Sequence, residues 1–352
     1  MNIANLTIGP GHPTYFIADI ASNHDGDLER AKELIRLCAR AGANAAKFQH
    51  FSASKLVSKK GFESLPSQLS HQKKWKKSVY ETYKDASVPW NWTPALRKCC
   101  TEEGIHFFSS PYDLSAVDML DPFVPAYKIG SGDIDWFEEL ECIAQKGKPV
   151  ILATGAATLE EVDRAVDCFA QHSVQLAVLQ CNTNYTGSED NFQHLNLRVI
   201  ETYRKRYPQC VVGLSDHTPG HVAVLGAVTL GASIIEKHFT DDTSREGPDH
   251  AFSMDFASWK TMIDATRHLE QSLGDGMKKI EQNEQETQIA QRRCIRVTHD
   301  LPAGTILSRS DVTVLRPRTK DAILPPDIIQ VLGKRTKSDL KKDAQLTWQI
   351  LE

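Results

Sequence analysis

Eight short apolar runs, separated by stretches with helical periodicity, constrain the fold of this chain more than any other feature. The runs are continuous rather than strictly alternating, as is typical of parallel strands buried on both faces. They lie at about residues 15–20, 45–51, 106–112, 126–131, 149–154, 176–182, 211–216 and 234–240. Eight strand–helix units of this size predict an α/β fold, a (β/α)8 TIM barrel.

The stretches between the strands carry start and stop signals for helices. The segment 27–43 has apolar residues at helical spacing, and Gly42 stands at its end. Thr158 and Glu161 match the capping-box pattern that opens a helix. The stretch 52–105 is too long for a simple connection, so we expect an extra helical excursion after the second strand.

The composition of the chain changes near residue 275, where a polar and charged stretch begins. Short β-rich pieces broken by Pro and Gly follow it, including "LPAGTIL". We therefore predict a TIM-barrel catalytic domain over 1–280, a linker over 281–292 and a small β-rich domain over 293–352. The small domain has few large apolar residues, so we expect it to dock on another surface.

Composition and charge exclude several classes of function. The formal net charge is −4 and no basic block is interleaved with aromatic residues, so a nucleic-acid partner is not expected. The sequence has no stretch typical of a signal peptide or a membrane span. The eight cysteines are irregularly spaced and form no CxxC pair, which predicts reduced thiols and a cytoplasmic protein.

Polar residues concentrate at the predicted carboxyl ends of the strands, where barrels build their active sites. They are Asp19, Asn23, His24, Lys47, Gln49, Ser109, Ser110, Lys128, Ser131, Asp133, Thr154, Asn182, Thr183, Asn184, Tyr185, Ser215, Asp216, His217, Glu236, Lys237 and His238. No single one of these residues identifies a site. Their concentration at one end of the barrel predicts one.

Two histidines occupy corresponding places on neighbouring strands. His217 lies in "GLSDHTPGH" and His238 in "IIEKHFTDD", each beside an acidic residue. Two neutral imidazoles suit a divalent ion that keeps open positions for water and substrate. The alternative interpretation is a pair of hydrogen-bonded histidines at strand ends, and a closed zinc site is not expected from two ligands.

Two lysines lie inside apolar strands, Lys47 in "AAKFQ" and Lys128 in "AYKIGS". A buried lysine needs a compensating charge, which could come from a core carboxylate such as Asp19 or Glu236. It could equally come from a bound anion, because short hydroxyl donors stand at neighbouring strand ends. The sequence has no P-loop and no GxGxxG after a strand, so a nucleotide or NAD is not indicated.

A series of motifs in a fixed order resembles the sialic acid synthase (N-acetylneuraminate synthase) family, which includes legionaminic and pseudaminic acid synthases. The motifs are "ADIASNHDGD", "KFQ", "KIGSGD", "ATG", "CNTNY", "SDHT" and "EKHFTDDTSREGPDH", over residues 15 to 255. The C-terminal segment resembles the antifreeze-like (SAF) domain of the family through "LPAGTIL", "LRP" and "LGKRTKSDL". The resemblance spans nearly the whole chain.

The resemblance implies an enzyme, a transferase that forms a carbon–carbon bond. Such a nonulosonic acid synthase condenses phosphoenolpyruvate with an N-acetylmannosamine-type amino sugar to a nine-carbon 2-keto acid, and releases phosphate by C–O cleavage. It also implies a divalent metal, Mn2+ with Mg2+ or Co2+ as alternatives, and a domain-swapped homodimer. In such a dimer an arginine of the small domain, matched here by Arg316, reaches the sugar in the partner's barrel.

The resemblance assigns a role to each matching residue. It implies that Asp19, Glu236 and His238 are catalytic and that His217 and His238 hold the metal. The implied phosphoenolpyruvate-binding residues are Lys47, Ser110, Lys128, Ser131, Thr183 and Ser215. The implied sugar-binding residues are Gln49, Tyr185, Asp249 and Arg316.

Departures from the family pattern cluster on sugar-facing and loop positions. Asp19 and Asp133 stand where glutamates are usual in the family. Ala153 stands where a serine is usual, and the hydroxyl of Thr154 could act as the hydrogen-bond donor instead. After Leu315 the sequence reads "RPRT" where the family has "RPG". We infer that the chemistry is kept and that the sugar differs. The acceptor could be a 2,4-diacetamido-trideoxy hexose, as in legionaminic and pseudaminic acid synthases, or a 6-phosphate bound by "HQKKWKK" at 71–77. For that stretch a solvated helix face is the preferred interpretation.

Two further hypotheses about the function are compatible with the sequence. One is another phosphoenolpyruvate-dependent keto-acid synthase that acts on a phosphorylated pentose or tetrose. The other is a non-catalytic sugar-binding barrel, which the presence of both lysines and both histidines disfavours because buried polar residues without a role are costly.

Overall fold

A computed structural model describes residues 1–68 and 70–352 of the protein. The chain divides into two compact units, Met1–Gly274 and Asp275–Glu352, and each is described by itself. The first unit contains the eight predicted strands, and the second contains the predicted small domain.

The first unit is a barrel of eight parallel strands, which confirms the predicted fold. The strands are β3 (Tyr15–Asp19), β4 (Ala45–His50), β5 (His106–Pro111), β6 (Tyr127–Ile129), β7 (Val150–Ala153), β8 (Leu176–Cys181), β9 (Val211–Asp216) and β10 (Ile234–His238). They are hydrogen-bonded in the order β5-β4-β3-β10-β9-β8-β7-β6. β5 and β6 are the two ends of this order and lie side by side, which nearly closes the barrel.

Side chains alternate between the barrel interior and the helical layer, because successive residues of a strand point to opposite faces. On β3, Tyr15 and Ile17 belong to a small apolar cluster inside the barrel, and Asp19 is the next residue of this face. An N-terminal hairpin of β1 (Asn2–Ile3) and β2 (Leu6–Thr7) adds Ile3 to the same cluster. The interior is therefore apolar at the amino ends of the strands and polar at their carboxyl ends.

Helices cover the outside of the barrel and bury the other face of each strand. They are α1 (Leu28–Ala41), α2 (Ala53–Leu56), α3 (Lys59–Glu63), α4 (Val79–Ala86), α5 (Thr93–Glu102), α6 (Leu114–Leu120), α7 (Phe137–Ala144), α8 (Leu159–Gln171), α9 (Val199–Arg206), α10 (Val222–Thr229) and α11 (Phe256–Ser272). The Asp27 side chain caps the start of α1, and Gly42 ends it with φ of 97°. The predicted capping box of Thr158 and Glu161 opens α8. The predicted excursion contains α2 to α5, with residue 69 outside the described residues.

The second unit has a separate apolar core. It contains the antiparallel strands β11 (Cys294–Val297) and β12 (Val312–Leu315) and the helices α12 (Gln285–Gln291) and α13 (Ile328–Val331). Ile295, Val297 and Leu346 are fully buried in this core. Isolated bridges such as Ile306 with Arg335 add further β pairing, in agreement with the predicted small β-rich domain.

All eight cysteines are free thiols, and six of them are buried, as expected for residues packed as small hydrophobes. Cys181 lies at the end of β8 among polar side chains that include Ser131 and Ser215. Among the helices of the described residues, none is long and apolar enough to cross a membrane.

Candidate active site

Four charged side chains from four strands meet at the carboxyl end of the barrel interior. Lys47 of β4, Lys128 of β6, Asp19 of β3 and Glu236 of β10 are each 5% exposed or less. Lys47 Nζ lies 2.7 Å from Asp19 Oδ2 and 3.7 Å from Glu236 Oε1. Lys128 Nζ lies 3.6 Å from Glu236 Oε2 and donates to the carbonyl of Ile129 at 2.8 Å. Both predicted core carboxylates therefore do face the lysines.

The two lysines differ in how well their charge is compensated. Burial lowers the pKa of Lys128 and the charge of Lys47 adds to this effect, whereas Glu236, with a smaller effect of Asp19, opposes it only partly. Burial acts on Lys47 in the same sense, but Asp19 and Glu236 outweigh it and raise the pKa of Lys47. Glu236 Oε2 has no hydrogen-bond partner among the described residues. A bound anion near Lys128 would compensate a cation that the protein leaves under-neutralised.

Three polar side chains converge on Gly155, just after β7. A Cβ atom at this position would lie 2.6 Å from Thr183 Oγ1 and 3.0 Å from both Ser131 Oγ and Cys181 Sγ. The Gly155 amide donates to Ser131 Oγ at 2.9 Å. Burial raises the pKa of Cys181 to about 11, so its thiol stays neutral and does not repel an anion. We call Gly155, Ser131, Thr183 and Cys181 the glycine cradle.

Two further predicted hydroxyl groups lie at strand ends beside the cradle. Ser110 ends β5 on the interior face, and its Oγ is buried without a hydrogen-bond partner in the described part of the chain. Ser215 of β9 is buried and pairs in register with Glu236 of β10. Thr154, by contrast, donates to the carbonyl of Leu179 and lies 2.9 Å from the Tyr203 hydroxyl, so its hydroxyl is already engaged.

The structure brings the two predicted histidines together. The ring centroids of His217 and His238 are 5.4 Å apart, and both residues are buried. His217 Nδ1 lies 3.0 Å from the carbonyl oxygen of Asn182, which can only accept, so Nδ1 carries the proton and Nε2 is unprotonated. Burial lowers the pKa of both histidines, that of His238 to about 3 although Asp249 opposes the shift. Both rings are therefore neutral, which is the form that binds metals.

The donor set fits an open divalent site rather than a closed one. Within residues 1–68 and 70–352, no group of three or more His, Cys, Asp or Glu side chains is arranged to hold a metal ion. Two imidazoles leave several coordination positions to water and substrate, as catalytic metal sites require. His238 Nδ1 is buried without a hydrogen-bond partner among the described residues, and its Nε2 is 3.5 Å from Asp19 Oδ2. The role of the pair as metal ligands stays a prediction.

A cavity of about 720 Å3 opens beside the two histidines. Tyr185 and Phe252 form its inner wall. The ring centroids of Tyr185 and His217 are 4.4 Å apart, and those of Phe252 and His238 are 4.8 Å apart. Ser22 lines the cavity as well, and its hydroxyl donates to Asp249 Oδ2 at 2.5 Å. Gln49 Nε2 donates to Asp19 Oδ2 at 3.1 Å. Three of the predicted sugar-binding residues thus lie around the same end of the barrel.

Several residues of this site could not be assigned to it from the sequence. His71 and Trp75 of the excursion line the cavity, and the His71 ring is 5.0 Å from that of Tyr185. In the same stretch Lys76 and Lys77 are exposed and paired with Glu246 and Asp85, as a solvated face predicts. The available signal was the placement of two ring-bearing residues, His71 and Trp75, four positions apart among polar residues. Cys181 and Phe252 gave none, since each is an ordinary core residue by type.

Arg316 belongs to the second unit. Its side chain is exposed, and Nη1 donates to Gln291 Oε1 at 2.5 Å. Its contribution to a sugar site stays a prediction.

A near-closed parallel barrel with buried lysines, carboxylates and histidines at its carboxyl end is the arrangement of a TIM-barrel enzyme. The model of the NeuB family matches residues 34–278, and that of the SAF domain matches residues 292–352. The N,N'-diacetyllegionaminic acid synthase of Legionella pneumophila is 35% identical over 98% of this chain and 96% of its own length. The pseudaminic acid synthase of Campylobacter jejuni is 34% identical over 93% of each chain.

A solved structure shows the same similarity. The N-acetylneuraminic acid (sialic acid) synthetase of Leptospira borgpetersenii, in complex with citrate, superimposes with a TM-score of 0.71 at 30% identity. The match covers 82% of this chain and 94% of that one. The chain therefore belongs to the NeuB family. The predicted family, barrel fold and enzyme class, a nonulosonic acid synthase, are confirmed, and the family is metal-dependent in general.

Proposed function

We propose that this enzyme condenses phosphoenolpyruvate with the open-chain form of an N-acetylated amino sugar of the mannosamine type. The products are a nine-carbon 2-keto acid and phosphate. The observation that carries this proposal is the placement of Lys47 and Lys128 on either side of Glu236 at the same barrel end as the His217–His238 pair. One half of the site suits a multiply charged anion, and the other half suits a carbonyl group.

In this proposal phosphoenolpyruvate occupies the space between the lysines and the glycine cradle. Lys47 and Lys128 supply positive charge from opposite sides of Glu236, and Ser110 supplies a hydroxyl without a hydrogen-bond partner in the described residues. The proposed hydroxyl donors to the phosphate and carboxylate are Ser110, Ser131, Thr183 and Ser215. Their burial excludes water, so each charge-assisted hydrogen bond is stronger than it would be in solution.

The sugar aldehyde lies above the two histidines. A divalent ion bound by His217 and His238 would supply Lewis-acid polarisation of the aldehyde oxygen. Tyr185 and Phe252 exclude water from this region, since their rings pack against the two imidazoles. Asp19 and Gln49, bonded to each other at 3.1 Å, face the sugar from β3 and β4.

Carbon 3 of phosphoenolpyruvate attacks the aldehyde carbon, and the aldehyde oxygen takes up a proton. Water adds at carbon 2, and Glu236 accepts the proton that this water loses. Phosphate then leaves by cleavage of its bond to carbon 2 and takes up the second proton of the added water, so that carbon 2 becomes the keto carbon. The first proton of the water, accepted by Glu236, balances the proton that the aldehyde oxygen takes up. Glu236 is suited to the proton transfer because Oε2 has no hydrogen-bond partner in the described residues and its two oxygens lie 3.7 and 3.6 Å from the lysine Nζ atoms.

The residues that line the cavity restrict which acceptor sugars we propose. Four Lys and Arg side chains line it: Lys76, Lys77 and Arg245 are paired with carboxylates, and Lys74 has no carboxylate partner among the described residues. A single unpaired cation is little positive charge for a 6-phosphate. The aromatic wall suits acetamido methyl groups. N-acetylmannosamine-type sugars, including the 2,4-diacetamido-trideoxy hexoses, are therefore the proposed acceptors, and a relative named N,N'-diacetyllegionaminic acid synthase supports this choice.

Three finer points belong to the same proposal. Mn2+ is the proposed metal, with Mg2+ or Co2+ as alternatives, because two imidazoles with oxygen ligands suit ions of this type. A domain-swapped homodimer, in which Arg316 reaches the partner's sugar site, would give the small domain a docking surface. The proposed division is a barrel over 1–280, a linker over 281–292 and a small domain over 293–352, and it is supported by the two compact units Met1–Gly274 and Asp275–Glu352.

The test is phosphate release from phosphoenolpyruvate with Mn2+ and a panel of sugars. The panel holds N-acetylmannosamine, its 6-phosphate, the 2,4-diacetamido-trideoxy hexoses and arabinose 5-phosphate. Turnover with one of the unphosphorylated amino sugars supports the proposal, and a preference for either phosphorylated sugar contradicts the acceptor. Full turnover in EDTA would remove the metal from the mechanism.

A further inference from the structure

His250 is a buried side chain near the cavity that the proposed mechanism does not use. It follows a loop of exposed residues, 241–247, yet its side chain is fully buried. Its Nε2 lies 2.9 Å from Asp25 Oδ1, and its Nδ1 lies 2.7 Å from Thr240 Oγ1. Because a carboxylate only accepts, Nε2 donates to Asp25. Both ring nitrogens are thus used for contacts within the protein.

Asp25 connects His250 to the loop that follows the first barrel strand. Its Oδ2 accepts from Arg245 Nε at 2.9 Å and Nη2 at 2.7 Å, and Arg30 Nε lies 3.2 Å away. Arg30 in turn pairs with both oxygens of Asp241, at 2.6 and 2.5 Å. The contacts join the loop after β3 to the loop after β10. We call Asp25, His250, Arg245 and Arg30 the mouth clasp.

The loop backbone passes directly over the His250 ring. A Cβ atom at Gly247 would lie 2.6 Å from His250 Cδ2, so the chain can follow this path only with glycine at that position. The turn of residues 247–250 therefore packs against the His250 ring. A smaller or differently shaped side chain at 250 would leave the turn without its support.

The residues on either side of His250 face the cavity and its surroundings. Asp249 Oδ2 accepts from the backbone amide of Ser22 at 3.2 Å and from its hydroxyl at 2.5 Å. Phe252 packs its ring 4.8 Å from that of His238 and forms part of the cavity wall. A displacement of His250 would move both residues, because they are one and two positions away in the same tight turn.

We propose that His250 is a positioning residue for the acceptor sugar, which acts through the mouth clasp to fix Asp249 and Phe252 at the cavity. The inference rests on the proposed function, since it concerns the acceptor end of that site. His250 does not touch the anion site, so its loss should affect the acceptor and spare phosphoenolpyruvate. A displacement of about 1 Å in such a contact can cost up to about a hundredfold in rate.

The experiment compares two substitutions that keep different halves of the imidazole. His250→Asn retains a polar group near the Nδ1 position and loses the bond to Asp25. His250→Gln can place its amide near the Nε2 position and restore that bond. We expect His250→Asn to raise the KM of the acceptor by about tenfold to a hundredfold, with the KM of phosphoenolpyruvate changed less than about twofold. His250→Gln should recover most of this loss, and His172→Gln, at an exposed histidine, should match the wild type.

A second measurement does not depend on turnover. Hydrogen exchange of the backbone amides of residues 242–252 should be faster by about tenfold or more in His250→Asn, with the strand amides unchanged. Unchanged exchange in His250→Asn, or equal losses in the Asn and Gln variants, would overturn the clasp. A parallel rise in both KM values would overturn its selectivity for the acceptor. A wild type that turns over no sugar overturns the proposed function and the recognition role with it, and exchange alone then decides whether the clasp exists.

Discussion

Replacing Gly155 by alanine tests the proposed anion site with a single methyl group. The new Cβ would lie 2.6 Å from Thr183 Oγ1, about 0.8 Å inside the ordinary contact limit of 3.4 Å, and 3.0 Å from two further side-chain atoms. Gly155 has no positive φ, so the backbone accepts alanine and the steric effect acts on the cradle alone. Overpacking of this kind costs about 1–3 kcal/mol. Because about 1.4 kcal/mol is a tenfold change in an equilibrium, we expect the KM of phosphoenolpyruvate to rise by about fivefold to 150-fold.

The assay is phosphate release as a function of phosphoenolpyruvate at a saturating acceptor concentration, together with thermal unfolding. Gly132→Ala is the matched control, since nothing lies within 4 Å of a Cβ at that position and its φ is not positive. We expect the control to keep the wild-type KM. A Gly155→Ala enzyme with an unchanged KM for phosphoenolpyruvate would refute the reasoning, because the cradle would then not be where the anion binds. If only the KM of the acceptor rose, phosphoenolpyruvate would have to bind elsewhere in the barrel.

Three other predictions follow from single features of the structure. His238→Ala should weaken Mn2+ binding by at least about a hundredfold, above the range for loss of an outer partner, with an unchanged circular dichroism spectrum; equal binding measured by paramagnetic resonance would remove His238 from the metal site. Glu139 is fully buried with neither carboxylate oxygen bonded in the described chain, and burial raises its pKa to about 8. Below pH 4.5 this carboxyl group is protonated in both the folded and the unfolded state, and between pH 4.5 and 8 it is protonated only in the folded state. The free energy of unfolding should therefore fall by up to about 1.4 kcal/mol per pH unit between pH 4.5 and 8 because of this group. Glu139→Gln should flatten this pH dependence, measured by urea titration. Deletion of residues 290–352 should leave a folded barrel, which has its own core, with a raised acceptor KM; an unchanged acceptor KM would exclude Arg316 from recognition.

Much of the barrel could be predicted because its signals are local. The continuous apolar runs, the glycine after α1 and the capping box of α8 each act over a few residues, and the structure confirms all three. The location of the polar residues at one end of the barrel then followed from the fold, since parallel strands place their carboxyl ends together. The approach of His217 to His238 followed from the same geometry. The sequence also showed that Lys47 and Lys128 would be buried, but it left their partners open between carboxylates and an anion.

The sequence could not predict contacts between segments distant along the chain. His71 lies in a stretch whose lysines are solvated, and only the fold of the excursion turns its ring towards Tyr185. Gly155 is an ordinary glycine after a strand until Thr183 and Ser131 converge on it.

The GPDH stretch shows the division most directly. By themselves these four residues, 247–250, are typical of a polar loop, and the exposed residues 241–247 that lead into them agree with that description. His250 is buried because Asp25, more than two hundred positions earlier, meets it across two barrel loops at 2.9 Å. The sequence by itself determined the elements, their order and the end of the barrel that holds the polar residues, because these depend on periodicity and short-range signals. The tertiary structure decided which of those polar residues bond to one another and which remain open to a ligand, because hydrogen bonds and close contacts depend on distances that spacing along the chain does not encode.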